Sequence, residues 1–182
     1  VELLGTQVGL VNAARVDASG ETAGGTVLIG GDYEGSNPAV QNADRSYVGT
    51  DTAIIADART NGDGGKVVVW ADDATQMYGT ISARGGAASG DGGLVETSGK
   101  QWLDFQGRVD LRAANGRAGN LLLDPTDITI SGAANTPTAA FGGGIFSNPT
   151  TTPSNLNVVT LTDQLALGNV TVSTASGLGG AG

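Results

Sequence analysis

Cysteine and histidine are both absent from the 182-residue chain. That excludes disulfides, cysteine or histidine nucleophilic relays, and ordinary zinc sites, which draw their ligands from these residues. Positive charge is sparse: nine Lys and Arg stand against eighteen Asp and Glu, for a net charge of −9. The basic residues are dispersed, so the patch that neutralises phosphates is missing and no nucleic-acid partner is expected. Aromatics make up 4% of the chain, so a core must be built from Val, Ile, Leu and Ala. No apolar run approaches the roughly 18–20 residues of a membrane span, and no basic-then-apolar opening marks a signal peptide. A start at Val1 and a stop at Gly182, inside a Gly-rich stretch, read as a piece of a longer protein.

Glycine is abundant, with 31 residues against a usual share of about 7%. Without collagen's three-residue period, such a composition leaves disorder or tightly wound β-structure. Compact apolar clusters, Val67-Val68-Val69-Trp70 and Leu121-Leu122-Leu123, decide for β-structure, since disordered chains lack them.

One pattern recurs four times: small residue, Gly, any residue, then apolar-x-apolar. It falls at Gly25, Gly65, Gly93 and Gly119, one long interval followed by two shorter, nearly equal ones. A second pattern, a β-branched residue, any residue, then usually Ala, falls at Val16, Ile54, Ile81 and Val109 with the same rhythm. Both series give a period of about 27 residues, within the range of stacked repeat units. The excess in the long interval falls at about residues 31–50, which reads as an insertion. Helix is excluded: there is no 3.6-residue period, and each glycine would cost about 1 kcal/mol. Short strands at a fixed period predict an all-β fold, a parallel β-helix in which each coil lays its strands on those of the coil before. Val27, Val67, Val95 and Leu121 form one expected inward ladder; Val16, Ile54, Ile81 and Val109 form another. A sandwich with hairpin turns every 8–12 residues is the competing fold.

The coils are expected over residues 1–130. Residues 131–157, rich in Gly, Ala, Thr, Asn and Pro, read as a loop or excursion. Residues 158–182 read as a short helix, with Thr162 as N-cap and Gly168 just past its end, and a strand at Asn169–Ser173 that resumes the β-helix.

Several stretches together resemble the filamentous haemagglutinin-like exoproteins of two-partner secretion. They are residues 25–33, Gly64-Gly65-Lys66-Val67-Val68-Val69-Trp70-Ala71-Asp72, residues 78–86, Val95-Glu96-Thr97-Ser98-Gly99 and residues 121–130. The resemblance covers residues 1–130 well and the part from Leu156 more loosely. It implies a right-handed β-helix downstream of a secretion domain whose motif is not seen here. It also implies export through a dedicated outer-membrane transporter, a secreted or cell-surface location on a Gram-negative bacterium, and adhesive roles. The absence of Cys fits export of an unfolded chain through an oxidising periplasm.

Parallel β-helices also house glycan lyases and hydrolases, which need clustered carboxylates. The adjacent pair Asp72-Asp73 follows a strand and reads as a turn. Asp104, Asp110 and Asp124 are not aligned with it by the ladders. Asp63 and Asp91 are repeat-equivalent turn residues; weak Ca²⁺ binding is the most they suggest, and no cofactor is expected. Tyr33, Tyr47, Trp70, Tyr78 and Trp102 are candidates for glycan or partner contact, with Trp70 expected to face outward beneath the inserted loop.

The expected function is non-enzymatic: a structural or adhesive segment, one stalk or a head-to-tail fibre, for attachment to cells, surfaces or biofilm matrix through a host-cell, glycan or matrix receptor. A glycan-binding or glycan-cleaving β-helix is the alternative, and the stalk of a contact-dependent toxin delivery protein is a third.

Overall fold

The computed structural model describes residues 1–135, 146 and 153–174. The chain turns through successive rounds of three short strands. The first round holds β1 (Glu2–Leu3), β2 (Gln7–Leu10) and β3 (Arg15–Asp17). The second holds β4 (Thr26–Ile29), β5 (Arg45–Val48) and β6 (Ala53–Ile55), and the third β7 (Lys66–Ala71), β8 (Ala74–Met77) and β9 (Thr80–Ser82). The fourth holds β10 (Leu94–Gly99), β11 (Trp102–Phe105) and β12 (Arg108–Asp110). There follow β13 (Asn120–Leu123), β14 (Ile128–Ser131), β15 (Ser154–Asn157), the helix α1 (Val158–Leu165) and β16 (Asn169–Val172).

Every strand pairing in these sheets is parallel. The first sheet runs β1-β4-β7-β10-β13-β16, the second β2-β5-β8-β11 and the third β3-β6-β9-β12, while β14 and β15 pair with each other. In the first sheet Val27, Val67, Val95, Leu121 and Val170 are consecutive partners. In the third, Val16, Ile54, Ile81 and Val109 are. All but Val16 and Val170 are buried, and those two pack on the same core from its edges.

The repeated glycines are explained by close approach. A Cβ on Gly93 would lie 2.1 Å from the carbonyl oxygen of Gly65, and one on Gly119 2.1 Å from that of Gly93. Backbone stacks directly on backbone there, and no side chain fits between the rounds.

The second sheet leaves a weaker mark in the sequence. Its inward row, Leu10, Val48, Met77 and Phe105, keeps the same register, but the row beside it is Val8, Ser46, Thr75 and Leu103. Ser46 and Thr75 are buried because their hydroxyls donate to the carbonyls of Trp70 (2.6 Å) and Ser98 (2.8 Å) in the first sheet. Polar residues facing the core hide the period-2 alternation that marks a strand.

Three boundaries differ from the sequence reading. The inserted segment ends before Arg45, because β5 joins the second sheet; residues 30–44 link β4 to β5 where only Asp72-Asp73 and Lys100-Gln101 make the corresponding links. The 131–157 segment is not wholly a loop, since Ser131 and residues 154–157 are in strands; residues 136–145 and 147–152 lie outside the described residues. The helix begins earlier than expected. Its N-cap is Asn157, whose side-chain oxygen accepts from the Val159 N–H at 2.7 Å, and Thr162 sits within it, donating to the Val158 carbonyl. The chain then rejoins the first sheet, as β16 pairs with β13.

Candidate functional site

The outward face of the first sheet carries Leu28, Val68, Glu96 and Leu122 in register. Apolar side chains there need cover, and residues 30–44 supply it. Leu28, Val68 and Trp70 form a second apolar cluster, against which Tyr33 and Val40 pack. The left-handed Gly35 (φ 59) lies on the indole; a Cβ there would come within 2.5 Å of the ring. Trp70 therefore does face the inserted segment, but it is only 2% exposed. Its Nε1–H donates to Asp72 at 3.1 Å, and Asn42 donates to the same carboxylate oxygen at 3.1 Å.

Between this segment and the sheet lies a cavity of about 380 Å³, walled by Glu34, Pro38, Asn42, Trp70, Asp72 and Lys100. Asp72 is engaged by Trp70 and Asn42, the Asn42 Oδ1 is buried without a hydrogen-bond partner, and the indole is almost fully covered.

Deeper under the insertion are two buried carboxyl groups. Glu96 is fully buried, and its Oε2 accepts from the Glu34 N–H at 2.8 Å. Glu34 is held at φ 54, a left-handed conformation that is unusual for a residue with a side chain. Glu96 Oε1 and Asp124 Oδ1 are both buried without a hydrogen-bond partner. Desolvation pushes Glu96 up to about 7, against hydrogen bonds from Glu34 and Ser98, with Glu34 and Asp124 adding repulsion. Sequence reasoning misses Glu96, which occupies a position that alternation assigns to solvent, and weighs Asp124 only against Asp72. Only the cover from residues 30–44 buries Glu96.

The other candidate residues do not converge. Trp102 is 5% exposed and Trp70 2%, so both indoles are covered rather than open for a sugar to stack on. Tyr47 and Tyr78 pack edge-to-face, 5.7 Å apart, and Tyr33 lies beneath Lys66 Nζ at 5.8 Å. The Tyr78 hydroxyl donates to the buried Asp104 at 2.7 Å, and burial beside that carboxyl raises its pKa. Asp73 pairs with Arg45 at 3.0 Å, and Asp110 with Arg112 at 2.6 Å. Asp104 lies in the second sheet, Asp110 in the third and Asp124 just past the end of β13 in the first, so no carboxylate pair among them flanks a common space.

The repeat-equivalent Asp63 and Asp91 link successive rounds: Asp63 Oδ1 accepts from the Asp91 N–H (2.7 Å) and Asp91 Oδ1 from the Arg117 N–H (2.8 Å). Among the described residues no group of three or more acidic side chains could hold a metal ion, and no helix is long and apolar enough to cross a membrane.

The chain is thus an all-β protein of in-register parallel strands with one covered outer face. No protein-family model matches it, and no curated protein matches it.

Proposed function

We propose that the chain is a right-handed parallel β-helix with a period of about 27 residues, a structural or adhesive segment of a filamentous haemagglutinin-like exoprotein. It serves as stalk or fibre material on a bacterial surface, exported through a two-partner transporter, and carries out no reaction. The observation that supports this reading is the register. Val27, Val67, Val95 and Leu121, each a full period or more from the next in the sequence, are direct partners. Every strand pairing among the described residues is parallel, so each round adds length along one axis at about 4.8 Å. Right-handedness follows from the roughly 98% preference of parallel crossovers.

Two measurements test the reading. Six stacked strands at about 4.8 Å make a single chain only about 24 Å long. Small-angle scattering over a concentration series should therefore show end-to-end growth into rods, and a compact particle at every concentration would reject the head-to-tail fibre. Beads coated with the chain should attach to cultured cells or biofilm matrix more than albumin-coated beads do. Equal attachment would reject the adhesive role.

A further inference from the structure

On a flank of the third sheet, away from the inserted segment, a groove of about 610 Å³ runs across three rounds of the chain. It is lined by Arg59, Arg84 and Arg112, three of the nine basic residues in a chain of net charge −9. Small side chains, among them Ala58, Ala87 and Ala113, keep it wide.

The arginines are held by carboxylates set beneath them. Arg112 clamps Asp110 side-on through Nε (2.9 Å) and Nη2 (2.6 Å). Arg84 Nε lies 3.4 Å from Asp57, which also accepts from Ser82 Oγ and the Arg84 N–H. Arg59 is 3.6 Å from Glu21. At two of the three pairs the exposures favour the positive charge, whereas Glu21 (68%) is more exposed than Arg59 (58%). The Arg84 and Arg112 side chains are 51% and 55% exposed, against 14% and 15% for Asp57 and Asp110. A side-on clamp uses two of the five guanidinium N–H groups, which leaves the others for a ligand in the groove.

Arg84 and Arg112 stand one above the other. Ser82 is the partner of Asp110, and the Gly85 N–H donates to the Arg112 carbonyl at 3.1 Å. Two arginine–carboxylate pairs are thus stacked on rounds about 4.8 Å apart, which brings their exposed guanidinium groups within reach of one anion lying across both rounds. A pyranose unit in an extended polysaccharide advances by a similar distance, so charges on successive sugars meet successive rounds.

We propose that this groove binds an acidic polysaccharide lying along the stack, its carboxylate or sulfate groups bridging Arg84, Arg112 and Arg59. Nucleic acid fits less well: no aromatic side chain lines the groove to stack a base. The small alanine walls suit the C–H faces of sugar rings. The proposal stands on the groove alone and does not need the adhesive reading.

Titration calorimetry tests it, with oligogalacturonate and heparin hexasaccharides, neutral maltohexaose and a thymidine hexanucleotide as probes. At least one acidic hexasaccharide should bind with Kd below about 1 mM, more weakly as salt rises, and maltohexaose should not. The tighter of the two acidic probes tells carboxylate from sulfate recognition. The double variant Arg84→Gln/Arg112→Gln should weaken binding at least tenfold. It keeps its fold, because Asp57 and Asp110 retain backbone donors at Arg84 and Arg112. Arg15→Gln, which removes an equally exposed arginine paired with Asp17 outside the groove, should change binding less than twofold. Three results would overturn the proposal: no binding of either acidic glycan, equal binding by the double variant, or equal affinity for the hexanucleotide.

Discussion

The side-chain amide of Gln164 pairs with both backbone groups of Val109. Its Oε1 accepts the Val109 N–H at 2.9 Å, and its Nε2 donates to the Val109 carbonyl. Val109 sits in β12, the last strand of the third sheet. Where the next strand would lie, α1 is found instead. One glutamine, 3% exposed, supplies the donor and acceptor that a neighbouring peptide unit would have given. The Leu111 N–H completes the edge by donating to the Leu167 carbonyl at 2.9 Å.

Removing that amide leaves two buried backbone groups unpaired, each costing about 1–3 kcal/mol. Gln164→Ala should therefore lower stability by about 2–4 kcal/mol. It should also accelerate exchange of the Val109 amide far more than that of Ile81, one round away. Unchanged protection at Val109 would show that α1 does not hold this edge.

Stability should fall as the pH rises through neutrality because of Glu96. Its folded pKa of about 7 lies above the ordinary 4.5, so the folded chain holds the proton more tightly than the unfolded one. Stability is fully present below pH 4.5 and declines as the pH climbs to about 7. The spread corresponds to about 3 kcal/mol. Asp32, lowered to about 2 chiefly by hydrogen bonds from Asn37 and Lys66, acts in the opposite sense but only below about pH 4. Urea denaturation of Glu96→Gln beside the natural chain checks this. The variant should be the more stable by about 2–3 kcal/mol at pH 8 and nearly equal at pH 4. A constant difference across that range would contradict the burial of an ionisable Glu96.

Two of the three strands in each round are legible because their residues repeat in kind as well as in spacing. Val67, Val95 and Leu121 follow a glycine at one fixed offset, and Ile54, Ile81 and Val109 are all β-branched. Leu10, Val48, Met77 and Phe105 recur with the same rhythm, but they vary in shape and are flanked by Ser46 and Thr75. The covered site is harder to read. Trp70 signals that something packs on the outer face, whereas the burial of Glu96 depends on where a loop folds back, which no periodicity encodes. The arginine groove is hidden for a related reason. Arg84 and Arg112 look dispersed, one full period apart, and become neighbours only once the rounds stack.

Gly93→Ala should be among the costliest small substitutions in the chain. The methyl group would meet the Gly65 carbonyl oxygen at 2.1 Å and the Gly64 carbonyl carbon at 2.7 Å, so the rounds would have to separate. Overpacking of this kind costs about 3 kcal/mol or more when backbone rather than side chain must yield. Gly132→Ala, where an added Cβ meets nothing within 4 Å, is the control and should cost under about 1 kcal/mol. Similar melting temperatures for the two variants would refute direct stacking of backbone on backbone.

The inward ladders can be tested by charge. Val67 and Ile81 are 0% and 1% exposed, each between like residues of the rounds on either side. Val67→Asp or Ile81→Asp buries an unpaired carboxylate, which costs several kcal/mol or forces the group to stay protonated. Either variant should unfold the chain or shift its denaturation midpoint severely. Thr80→Asp, beside Ile81 but exposed, gives up only a 3.3 Å hydrogen bond to the Thr52 carbonyl and should cost under about 1 kcal/mol. Lys66, beside Val67, is exposed enough to look equally tolerant, yet its ammonium lies 2.5 Å from Asp32 at the start of the inserted segment. Lys66→Asp would set two carboxylates against each other there and should cost more than Thr80→Asp, by about 1–2 kcal/mol. Chemical denaturation of the four variants should therefore give the order Thr80, Lys66, then Val67 and Ile81 together. Equal tolerance at all four positions would mean that these strands do not face a common core.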